Sequence, residues 1–385
     1  MTFNIEINKF KSENSICTKK ANVIFFVTSL DNGGLENYLL RYVKSENNKF
    51  NKIIIVSKKV KKGIIESEFK KIENVSVIKK SIGNFAPFTY IKLIFWFKKH
   101  FKDYTICDFT GNFSGPILWA ANIAGLSKRI VFYRSSSNRF KEDKVRLLIN
   151  KYYNWLVIKN ATNILANSNE ALNFFFGNIK DKRFKVIYNG FNVHDFLREK
   201  ENLRNELGIS NDTIVIGHTG RYNPAKNHPV LLKIADIILH KYNNIFFILC
   251  GNNVKTSLKS QVNKLRHNDR ILLFNDRYDI PKFLNTCDIF IFPSITEGQP
   301  NSLIEAWLMG IPFVASNISP IKDILPLEFH NYLVEPSDID KYIIKIKDIL
   351  KGSFDESARL NLANWAKNTF AAEIRFKEFT TELIT

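Results

Sequence analysis

The 385-residue sequence is poor in cysteine, in methionine and in long apolar segments. Its four cysteines, Cys17, Cys107, Cys250 and Cys287, are far apart and form no Cys-x-x-Cys pair. This excludes a zinc ribbon or a disulfide scaffold and is typical of a reducing cytosol. No apolar run reaches the roughly 18 residues that a membrane-spanning helix needs. The first 20 residues are polar and lack the apolar segment of a secretory signal, so we expect a cytoplasmic protein.

The excess of positive charge lies entirely in the first half of a chain whose composition is otherwise ordinary. Apolar residues make up 45% and charged residues 24% of the sequence, which is enough for two domains with sizeable cores. Residues 1–190 hold 33 basic and 14 acidic residues, an excess of 19, whereas residues 191–385 hold 23 of each. This imbalance indicates an anionic partner: a nucleic acid, an anionic membrane face or a phosphorylated substrate.

Two series of short apolar segments alternate with helical patterns along the chain. The predicted strands are residues 22–30, 52–57, 104–109 and 129–133, and then 213–218, 244–250, 270–274, 287–293 and 312–316. Alternating strands and helices predict parallel sheets that are covered by helices on both faces. We therefore predict an α/β protein with two doubly wound, Rossmann-like domains at residues 1–190 and 191–365. Residues 1–20 form a polar extension of the first domain, and residues 366–385 form a C-terminal helix.

The loops that follow the predicted strands are the expected place for chemistry. Ligands of doubly wound sheets bind beyond the carboxyl ends of the strands, and two sheets whose ends face each other form a cleft. The loops in question are residues 33–34, 108–111, 220–226 and 296–301.

Two glutamates seven residues apart carry the strongest signal. Glu297 follows a predicted buried strand, and the N-cap residue types Asn301 and Ser302 indicate that a helix begins there. The start of a helix offers free N–H groups to phosphate or sugar oxygens. Glu305 lies about one turn into this helix, where a carboxylate can accept hydrogen bonds from two neighbouring hydroxyls. The alternative is that Glu305 interacts only with the helix dipole.

Two cations follow the first strand of the second series. Gly220 and Arg221 end the strand, Lys226 comes five residues later, and a helix begins near Pro229. Arginine binds an anion as a fork and lysine as a point charge, so the pair can clamp an anionic group. The alternative is two solvated loop cations.

These motifs resemble glycosyltransferase family 4, the retaining nucleotide-sugar transferases of the GT-B fold. The matching residues are Gly-Arg at 220–221, Lys-Asn at 226–227, Pro-Ser at 293–294, Glu-Gly at 297–298 and Glu305. The turn at residues 33–36 resembles the family's opening, and residues 188–192 resemble its linker. The resemblance covers residues 22 to 365 and implies a GT-B fold, in which the final helix crosses back to the first domain.

The resemblance implies how the donor would be bound. Arg221 and Lys226 would bind its diphosphate and stabilise the leaving nucleotide, and Gly34 would let the backbone approach the diphosphate closely. Arg277 would lie near the base. Glu305 would contact the ribose, and Glu297 would be the catalytic residue beside the transferred sugar. Contacts to the sugar or phosphate would come from Gln299, Asn301 and Ser302.

One segment departs from the family pattern. Relatives often carry His-x-His where this chain has Asp108-Phe109-Thr110, and further histidines where it has residues 133–136. The usual sugar-contacting histidine is therefore missing. Asp108 is the tentative catalytic replacement, with Thr110 as a polar contact. The alternative is that Asp108, at the end of its strand, is the cap partner of a helix.

The implied reaction transfers a hexose-type sugar from a nucleoside diphosphate, with UDP the commoner carrier, to an acceptor hydroxyl with retained configuration. The implied mechanism is a front-face one in which the leaving phosphate assists deprotonation. The seven histidines have no metal-ligand spacing, and the pair Asp338 and Asp340 is expected to start a helix. We therefore expect no cofactor and no essential metal.

The basic first half favours a lipid-linked saccharide acceptor in the assembly of O-antigen, capsule or exopolysaccharide. The enzyme would then be peripheral on the cytosolic face of the inner membrane. Residues 85–104 mix aromatics with lysines, as a membrane-surface helix does, although a helix packed on the sheet with a solvated lysine face fits as well. The lysines at residues 58–62 are expected to lie in a solvated loop.

Two other functions remain open from the sequence. One is another GT-B enzyme, such as a nucleotide-sugar epimerase or a transferase with a soluble acceptor. The other is a basic nucleic-acid-binding protein. The chain lacks helix-turn-helix, zinc-finger and RNA-binding signatures, so we expect no nucleic-acid partner. Loss of the histidine also leaves room for an inactive family member.

Overall fold

The computed structural model of the chain describes residues 20–31, 34–83, 87–134, 144–177, 179–197 and 201–385. The predicted polar extension at residues 1–20 lies outside these ranges except for its last residue. Gly33 also lies outside them, as do Ser135 and Ser136 of the stretch in which relatives carry histidines.

The first domain is a parallel sheet of seven strands. Its strands are β1 (Ala21–Val27), β2 (Phe50–Ser57), β3 (Val75–Lys79), β4 (Tyr104–Asp108), β5 (Arg129–Tyr133), β6 (Asn163–Ala166) and β7 (Phe184–Val186). Its helices are α1 (Gly34–Glu46), α2 (Glu66–Lys70), α3 (Pro87–His100), α4 (Gly115–Ile123), α5 (Lys144–Asn160) and α6 (Asn169–Phe176). The strand order is β3-β2-β1-β4-β5-β6-β7, and every pair is parallel.

The second domain is a parallel sheet of six strands. Its helices are α7 (Arg204–Leu207), α8 (His228–Lys241), α9 (Val254–Val262), α10 (Ile280–Asn285), α11 (Asn301–Leu308), α12 (Ser319–Lys322), α13 (Ile339–Leu350) and α14 (Glu356–Phe370). Its strands are β8 (Ile214–Thr219), β9 (Ile245–Cys250), β10 (Ile271–Phe274), β11 (Ile289–Phe292), β12 (Phe313–Ser316) and β13 (Leu333–Val334). The strand order is β10-β9-β8-β11-β12-β13, again parallel throughout. The prediction of two doubly wound domains is therefore confirmed.

Each sheet reverses its winding direction at one pair of strands. The pairs are β1 and β4 in the first sheet and β8 and β11 in the second. At such a switch point the two neighbouring loops diverge and leave a crevice beyond the strand ends. The predicted chemical loops at residues 108–111, 220–226 and 296–301 all follow strands that border a switch point.

The central strands are mainly apolar because helices cover both faces of each sheet. Residues 23–27 of β1 are completely buried and alternate between two cores, one on each face of the first sheet. The second domain has one large continuous core, built around β8, β9, β11 and β12. This double burial is why these strands read as continuous apolar runs and not as alternating ones.

The final helix of the chain, α15 (Ala372–Ile384), packs on the first domain. Phe376 and Leu383 are buried in its core, and the Tyr42 and Thr380 hydroxyls are 2.8 Å apart. By contrast, residues 366–370 belong to α14, whose Ala366 and Phe370 lie in the core of the second domain. The structure therefore places the change of domain at Ala371, later than the predicted boundary at residue 366.

Two chain segments cross between the domains side by side. Phe191 N donates a hydrogen bond to the carbonyl of Phe370, and Ala372 N donates one to the carbonyl of Phe191, both at 2.8 Å. A Cβ on Gly190 would lie 2.8 Å from the Cα of Ala372, so a larger residue at 190 would push the two chain segments apart.

The helices bear on two expectations, about a membrane-spanning segment and about the role of Asp338. In the described part of the chain, no helix combines the length and apolar character needed to cross a membrane. Asp338 accepts a hydrogen bond from Lys341 N at the start of α13, so it serves as a helix cap.

Phe379 tests the role of α15. It is fully buried against the first sheet, where its ring contacts Tyr42 and Phe132. Phe379→Ala should destabilise the first domain by about 3–5 kcal/mol, because the cavity it leaves cannot be filled by its neighbours. Ile374→Ala, which shortens an exposed side chain of the same helix, should cost less than about 0.5 kcal/mol. Thermal unfolding measures both, and equal midpoints for the two variants would contradict the assignment.

Candidate functional site

The loop after β8 is hydrogen-bonded to the loop after β9, and this bond fixes the backbone that carries Arg221. Gly220 N donates a hydrogen bond to the carbonyl of Cys250 at 2.9 Å. The loops are so close that a Cβ on Gly251 would lie 2.3 Å from the carbonyl oxygen of Gly220. Only glycine therefore fits at residue 251. The Arg221 side chain, which follows Gly220, is exposed at the end of the sheet.

The backbone of Lys226 is held from two sides. The Asn223 side chain accepts a hydrogen bond from Lys226 N at 3.0 Å and so fixes a short turn. Ile295 N donates to the carbonyl of Ala225 at 2.7 Å, which joins the loop after β8 to the loop after β11. These bonds bring the two sides of the second switch point together.

Lys226 and Glu297 form a nearly buried ion pair across this switch point. Lys226 Nζ lies 2.8 Å from Glu297 Oε1, and each side chain is only 12% exposed. The same ammonium lies 4.4 Å from the centre of the Phe292 ring. Two residues that the sequence analysis assigned to different parts of a donor are therefore direct partners in this structure.

Two neutral histidines lie beneath the Lys226 loop. His218 Nδ1 is 2.9 Å from the carbonyl oxygen of Ile291, so this nitrogen carries the proton and donates it. Burial lowers the pKa of His218 well below its usual range, and nearby His228 and Lys226 add to the effect. Burial and then Lys226 lower the pKa of His228 to about 4. The floor of the site is therefore uncharged at neutral pH.

Glu305 lies on α11 and faces the first domain. Burial raises the pKa of Glu305 to about 7, although the positive charges of Arg41 and Lys226 oppose this shift. Arg41 belongs to α1, so a cation of the first domain lies within electrostatic reach of a carboxylate of the second. The predicted role of Glu305 as an acceptor for hydroxyl groups stays a prediction.

Two predicted diphosphate contacts are open. The Arg221 guanidinium is exposed, and among the described residues it has no hydrogen-bond or ion-pair partner. Gly34 is the first residue of α1, and a Cβ built there would meet no atom within 4 Å. Both positions leave room for a ligand, and their roles stay predictions.

The side chains of Gln299 and Asn301 are already used elsewhere. Gln299 Oε1 accepts a hydrogen bond from Asn189 N, and Asn301 Oδ1 accepts one from Asn189 Nδ2, both at 2.7 Å. Helix α11 does begin at Asn301, but neither Asn301 nor Ser302 caps it through a side chain. These residues therefore hold the loop against the interdomain linker and leave mainly their backbone for a ligand.

Arg277, predicted to lie near a base, is held by a neighbouring carboxylate. Its guanidinium makes two hydrogen bonds of 2.7 Å to Asp279 and lies 5.4 Å from the centre of the Phe274 ring. Tyr278 beside it is almost completely exposed. The structure thus presents an aromatic ring and a fixed guanidinium at the carboxyl end of β10.

Asp108 is fully buried at the first switch point. Its Oδ1 accepts hydrogen bonds from the backbone N and the hydroxyl of Thr110, both at 2.7 Å. Burial raises the pKa of Asp108, and Lys58 opposes this shift. Asp108 thus fixes the backbone at the end of its strand, while no described residue forms a hydrogen bond to its Oδ2.

Lys58 corrects one expectation. The lysines at residues 58–62 were expected to be solvated, but Lys58 is half-buried and its Nζ lies 3.4 Å from Thr110 Oγ1. Burial lowers the pKa of Lys58, and Asp108 opposes the shift. The correction arises because β2 and β4 flank β1 in the sheet, so the residues after both strands meet.

Arg134 is a further cation of the cleft that sequence reasoning missed. It follows β5, and its guanidinium carbon lies 3.5 Å from the centre of the Tyr38 ring. Arg41, one turn after Tyr38 on α1, adds a second positive charge nearby. Burial is the main cause that lowers the pKa of Arg134, to about 10, so it remains charged at neutral pH. Its place after a strand, within the residues 133–136 where relatives carry histidines, was the available signal.

The structure thus collects Arg221, Lys226, Glu297 and Glu305 at the second switch point and brings Arg41 to them from the first domain. The first switch point holds Lys58 and Asp108. The described residues contain no group of three His, Cys, Asp or Glu side chains placed to hold a metal ion. The arrangement offers cations to an anionic group and carboxylates to hydroxyls within one crevice.

The family model described as "Glycosyl transferases group 1" matches residues 199–369. This range corresponds to the second domain, which ends with α14. The second domain is therefore similar to the domains that this family model describes.

Curated relatives carry related names. The UDP-Gal:alpha-D-GlcNAc-diphosphoundecaprenol alpha-1,3-galactosyltransferase of Escherichia coli is 29% identical over 241 residues, 58% of this chain and 60% of that protein. The capsular polysaccharide biosynthesis glycosyltransferase CapH of Staphylococcus aureus is 27% identical over 303 residues, 77% of this chain and 81% of that protein. Two of the matches span only 64% and 60% of the relatives' own length.

Solved structures show the same architecture over nearly the whole chain. HepE of Anabaena in complex with UDP has a TM-score of 0.77 at 21% identity and covers 94% of this chain and 99% of its own. A glycosyltransferase from Rickettsia africae has a TM-score of 0.80 at 18% identity, with 94% and 97% covered. The fold is therefore GT-B.

Glu305→Gln tests the burial of Glu305. Because its pKa is raised in the folded state, ionisation between about pH 4.5 and 7 should cost the wild type stability that the uncharged glutamine keeps. Going from pH 5 to pH 8, the free energy of unfolding of Glu305→Gln should gain about 2 kcal/mol relative to wild type. Thermal or urea unfolding at both pH values measures this, and an unchanged difference would contradict it.

Arg41→Gln is the companion variant. Since the positive charge of Arg41 lowers the pKa of Glu305, its removal should raise that pKa further. The pH-dependent loss of stability should then extend to higher pH than in the wild type. If both proteins lose stability over the same pH range, Arg41 does not act on Glu305.

Proposed function

We propose that the chain is a retaining glycosyltransferase of family 4 that transfers a sugar from a nucleoside diphosphate, UDP first among the candidates. The observation that carries the proposal is the crevice at the second switch point. It contains two cations, Arg221 and Lys226, and two carboxylates, Glu297 and Glu305, in one place. A nucleotide sugar has the matching groups, since its diphosphate is anionic and its ribose and sugar carry neighbouring hydroxyls.

Within this proposal the donor lies along the second domain. Arg221 and Lys226 bind the diphosphate, Glu305 accepts from the ribose hydroxyls, and Glu297 faces the transferred sugar. To bind the diphosphate, Lys226 exchanges Glu297 for phosphate oxygens, which leaves the Glu297 carboxylate free for the sugar. The preference for UDP has support in the names of the relatives: one uses UDP-Gal and another structure holds UDP.

In the transfer step a bond forms between the acceptor oxygen and the anomeric carbon of the sugar. The bond from that carbon to the β-phosphate oxygen breaks, and the acceptor's proton passes to the leaving phosphate. Attack occurs on the face from which the phosphate leaves, so the configuration is retained. The cations stabilise the charge that develops on the departing diphosphate, and charge stabilisation of this kind is usually the largest contribution to such a rate. No metal or cofactor takes part, so activity in EDTA should equal activity without it.

We propose a lipid-linked saccharide as acceptor, at the cytosolic face of a membrane, in the assembly of a cell-surface polysaccharide. The support is the positive charge of the first half and the lipid-linked acceptor that the name of the Escherichia coli relative states. The first switch point, with Asp108, Thr110 and Lys58, then belongs to the acceptor side of the cleft. A peripheral location follows from an acceptor that cannot leave the membrane.

Nucleotide binding is the first test of the proposal. UDP at about 100 times its dissociation constant should add about 2.7 kcal/mol to stability and raise the midpoint of thermal unfolding by about 5–10 °C. Lys226→Ala should lose most of this shift, since charge-assisted hydrogen bonds contribute about 1.5–3 kcal/mol. The matched control Lys233→Ala removes an exposed lysine of α8 and should keep it.

GDP and ATP in the same assay identify the carrier, and EDTA in every sample keeps metal out. A shift with UDP alone that is lost only in Lys226→Ala supports the proposed donor site. No shift with any nucleotide, or an equal loss in both lysine variants, would contradict it. Product analysis with UDP-sugars then separates transfer from epimerisation, because an epimerase changes the sugar nucleotide without any acceptor.

A further inference from the structure

The outer surface of the first domain has an unusual composition on three neighbouring helices. Helix α4 packs between α3 and α5, so the exposed sides of the three helices form one continuous surface, here named the α3–α5 face. In the sequence, only the first of these helices stands out as basic and aromatic. The structure shows that α4 and α5 extend the same features.

Helix α3 is apolar on two opposite sides. Tyr90, Leu93 and Phe97 are buried in the core of the first domain. On the other side Phe88 is 77% exposed and Phe95 is 68% exposed. A helix that only covers a sheet has a polar outer side, so this second apolar side is not explained by the fold.

Helix α5 repeats this arrangement. Leu156 and Val157 face the core, whereas Leu148 is 67% exposed and Trp155 is 51% exposed on the outer side. The exposed Tyr152 ring stacks on Trp155, with the ring centres 5.8 Å apart. Between the two helices, α4 adds a half-exposed Trp119 and Ile123. Exposed apolar side chains on three adjoining helices indicate a surface that is covered by something else.

The charges on the α3–α5 face all have one sign. Helix α3 contributes three lysines and α5 contributes three lysines and one arginine, while α3, α4 and α5 contain no Asp or Glu. The lysines lie beside the exposed apolar residues. Lys92 lies on α3 between Phe88 and Phe95, and the Lys159 ammonium lies 5.6 Å from the centre of the Trp155 ring.

The combination of exposed apolar side chains and positive charge indicates which kind of partner covers the α3–α5 face. A second copy of the chain would bring the same seven positive charges to the contact, so like charges would repel. A nucleic acid would use the charges and could stack bases on the aromatic rings, but it would gain little from exposed Leu and Ile side chains. An anionic bilayer uses both, because aromatic and aliphatic side chains enter the interface and lysines bind the headgroups.

We propose that the α3–α5 face docks the protein on an anionic lipid bilayer. Phe88 and Phe95 of α3 and Leu148 and Trp155 of α5 enter the interface, and the basic residues around them bind anionic headgroups. This deepens the proposed function by naming the surface that faces the membrane. The reason why the protein would dock rests on the proposed function, whereas the surface itself is inferred from its exposed side chains. Helix α4 begins directly after the loop that carries Asp108 and Thr110, so docking brings the acceptor side of the cleft toward the bilayer.

Vesicle co-sedimentation tests the proposal with the full chain. The probes are vesicles of phosphatidylcholine alone and of phosphatidylcholine with phosphatidylglycerol, each at low and at physiological salt. The wild type should bind the anionic vesicles and should retain part of that binding at physiological salt. Phe88→Ser/Phe95→Ser and Leu148→Ser/Trp155→Ser should each weaken binding at least tenfold. The control Ile344→Ser/Leu360→Ser removes exposed apolar residues of the second domain and should bind like the wild type.

A second variant separates charge from apolar contact. Lys92→Gln/Lys98→Gln/Lys151→Gln should lose about fivefold in affinity for anionic vesicles per lysine and should reduce the preference for them. The thermal midpoint and the UDP-induced shift of each variant show that the protein is folded and that its cleft is intact. These substitutions are outside the cleft, so both readouts should match the wild type.

Three outcomes would overturn the proposal. They are equal vesicle binding by wild type and both serine pairs, a wild-type dimer that either serine pair dissociates, and RNA binding at physiological salt that the glutamine variant alone loses. Failure of the proposed function is a different result. A protein that binds vesicles through this face but shows no nucleotide shift would keep the docking surface and lose the transferase.

Discussion

The ion pair between Lys226 and Glu297 is the interaction on which the rest of the site depends. It joins the loops after β8 and β11 across the second switch point, with little access to water and against the Phe292 ring. Removing one partner of such a pair leaves a buried charge and costs several kcal/mol. A ligand that enters here must therefore supply its own anionic oxygens to Lys226. The neutral His218 and His228 beneath the loop add no competing charge.

The positive charge of the first half has two separate places in the structure. One is the region around α1, where Arg41 lies within electrostatic reach of Glu305 and of Arg134. The other is the outer α3–α5 face, where basic residues surround exposed aromatic and aliphatic side chains. An anionic donor in the cleft and an anionic surface outside it account for both. Backbone hydrogen bonds at Phe191 and Ala372 join the two chain segments that cross between the domains.

Much of this organisation could be predicted from the sequence, because parallel strands collect their functional loops at one edge. That rule located Lys226, Glu297 and Glu305 from strand and turn patterns alone. It could not place Lys58, whose burial depends on the order of strands in the sheet. Nor could it show that Gln299 accepts a hydrogen bond from Asn189, or that Arg41 lies within electrostatic reach of Glu305. Both pairs join residues that are far apart in the sequence. Local patterns predict elements, whereas pairings across the domains need the folded chain.

The central claim is that a diphosphate replaces Glu297 as the partner of Lys226, and the affinity of Glu297→Gln for UDP tests it most directly. Glutamine keeps the shape but removes the negative charge that competes for the lysine. The account predicts that Glu297→Gln binds UDP about three- to tenfold more tightly than wild type, with no change for uridine, which has no phosphate. It also predicts slower sugar transfer despite the tighter binding. Equal or weaker binding of UDP by Glu297→Gln in isothermal titration calorimetry would contradict the account.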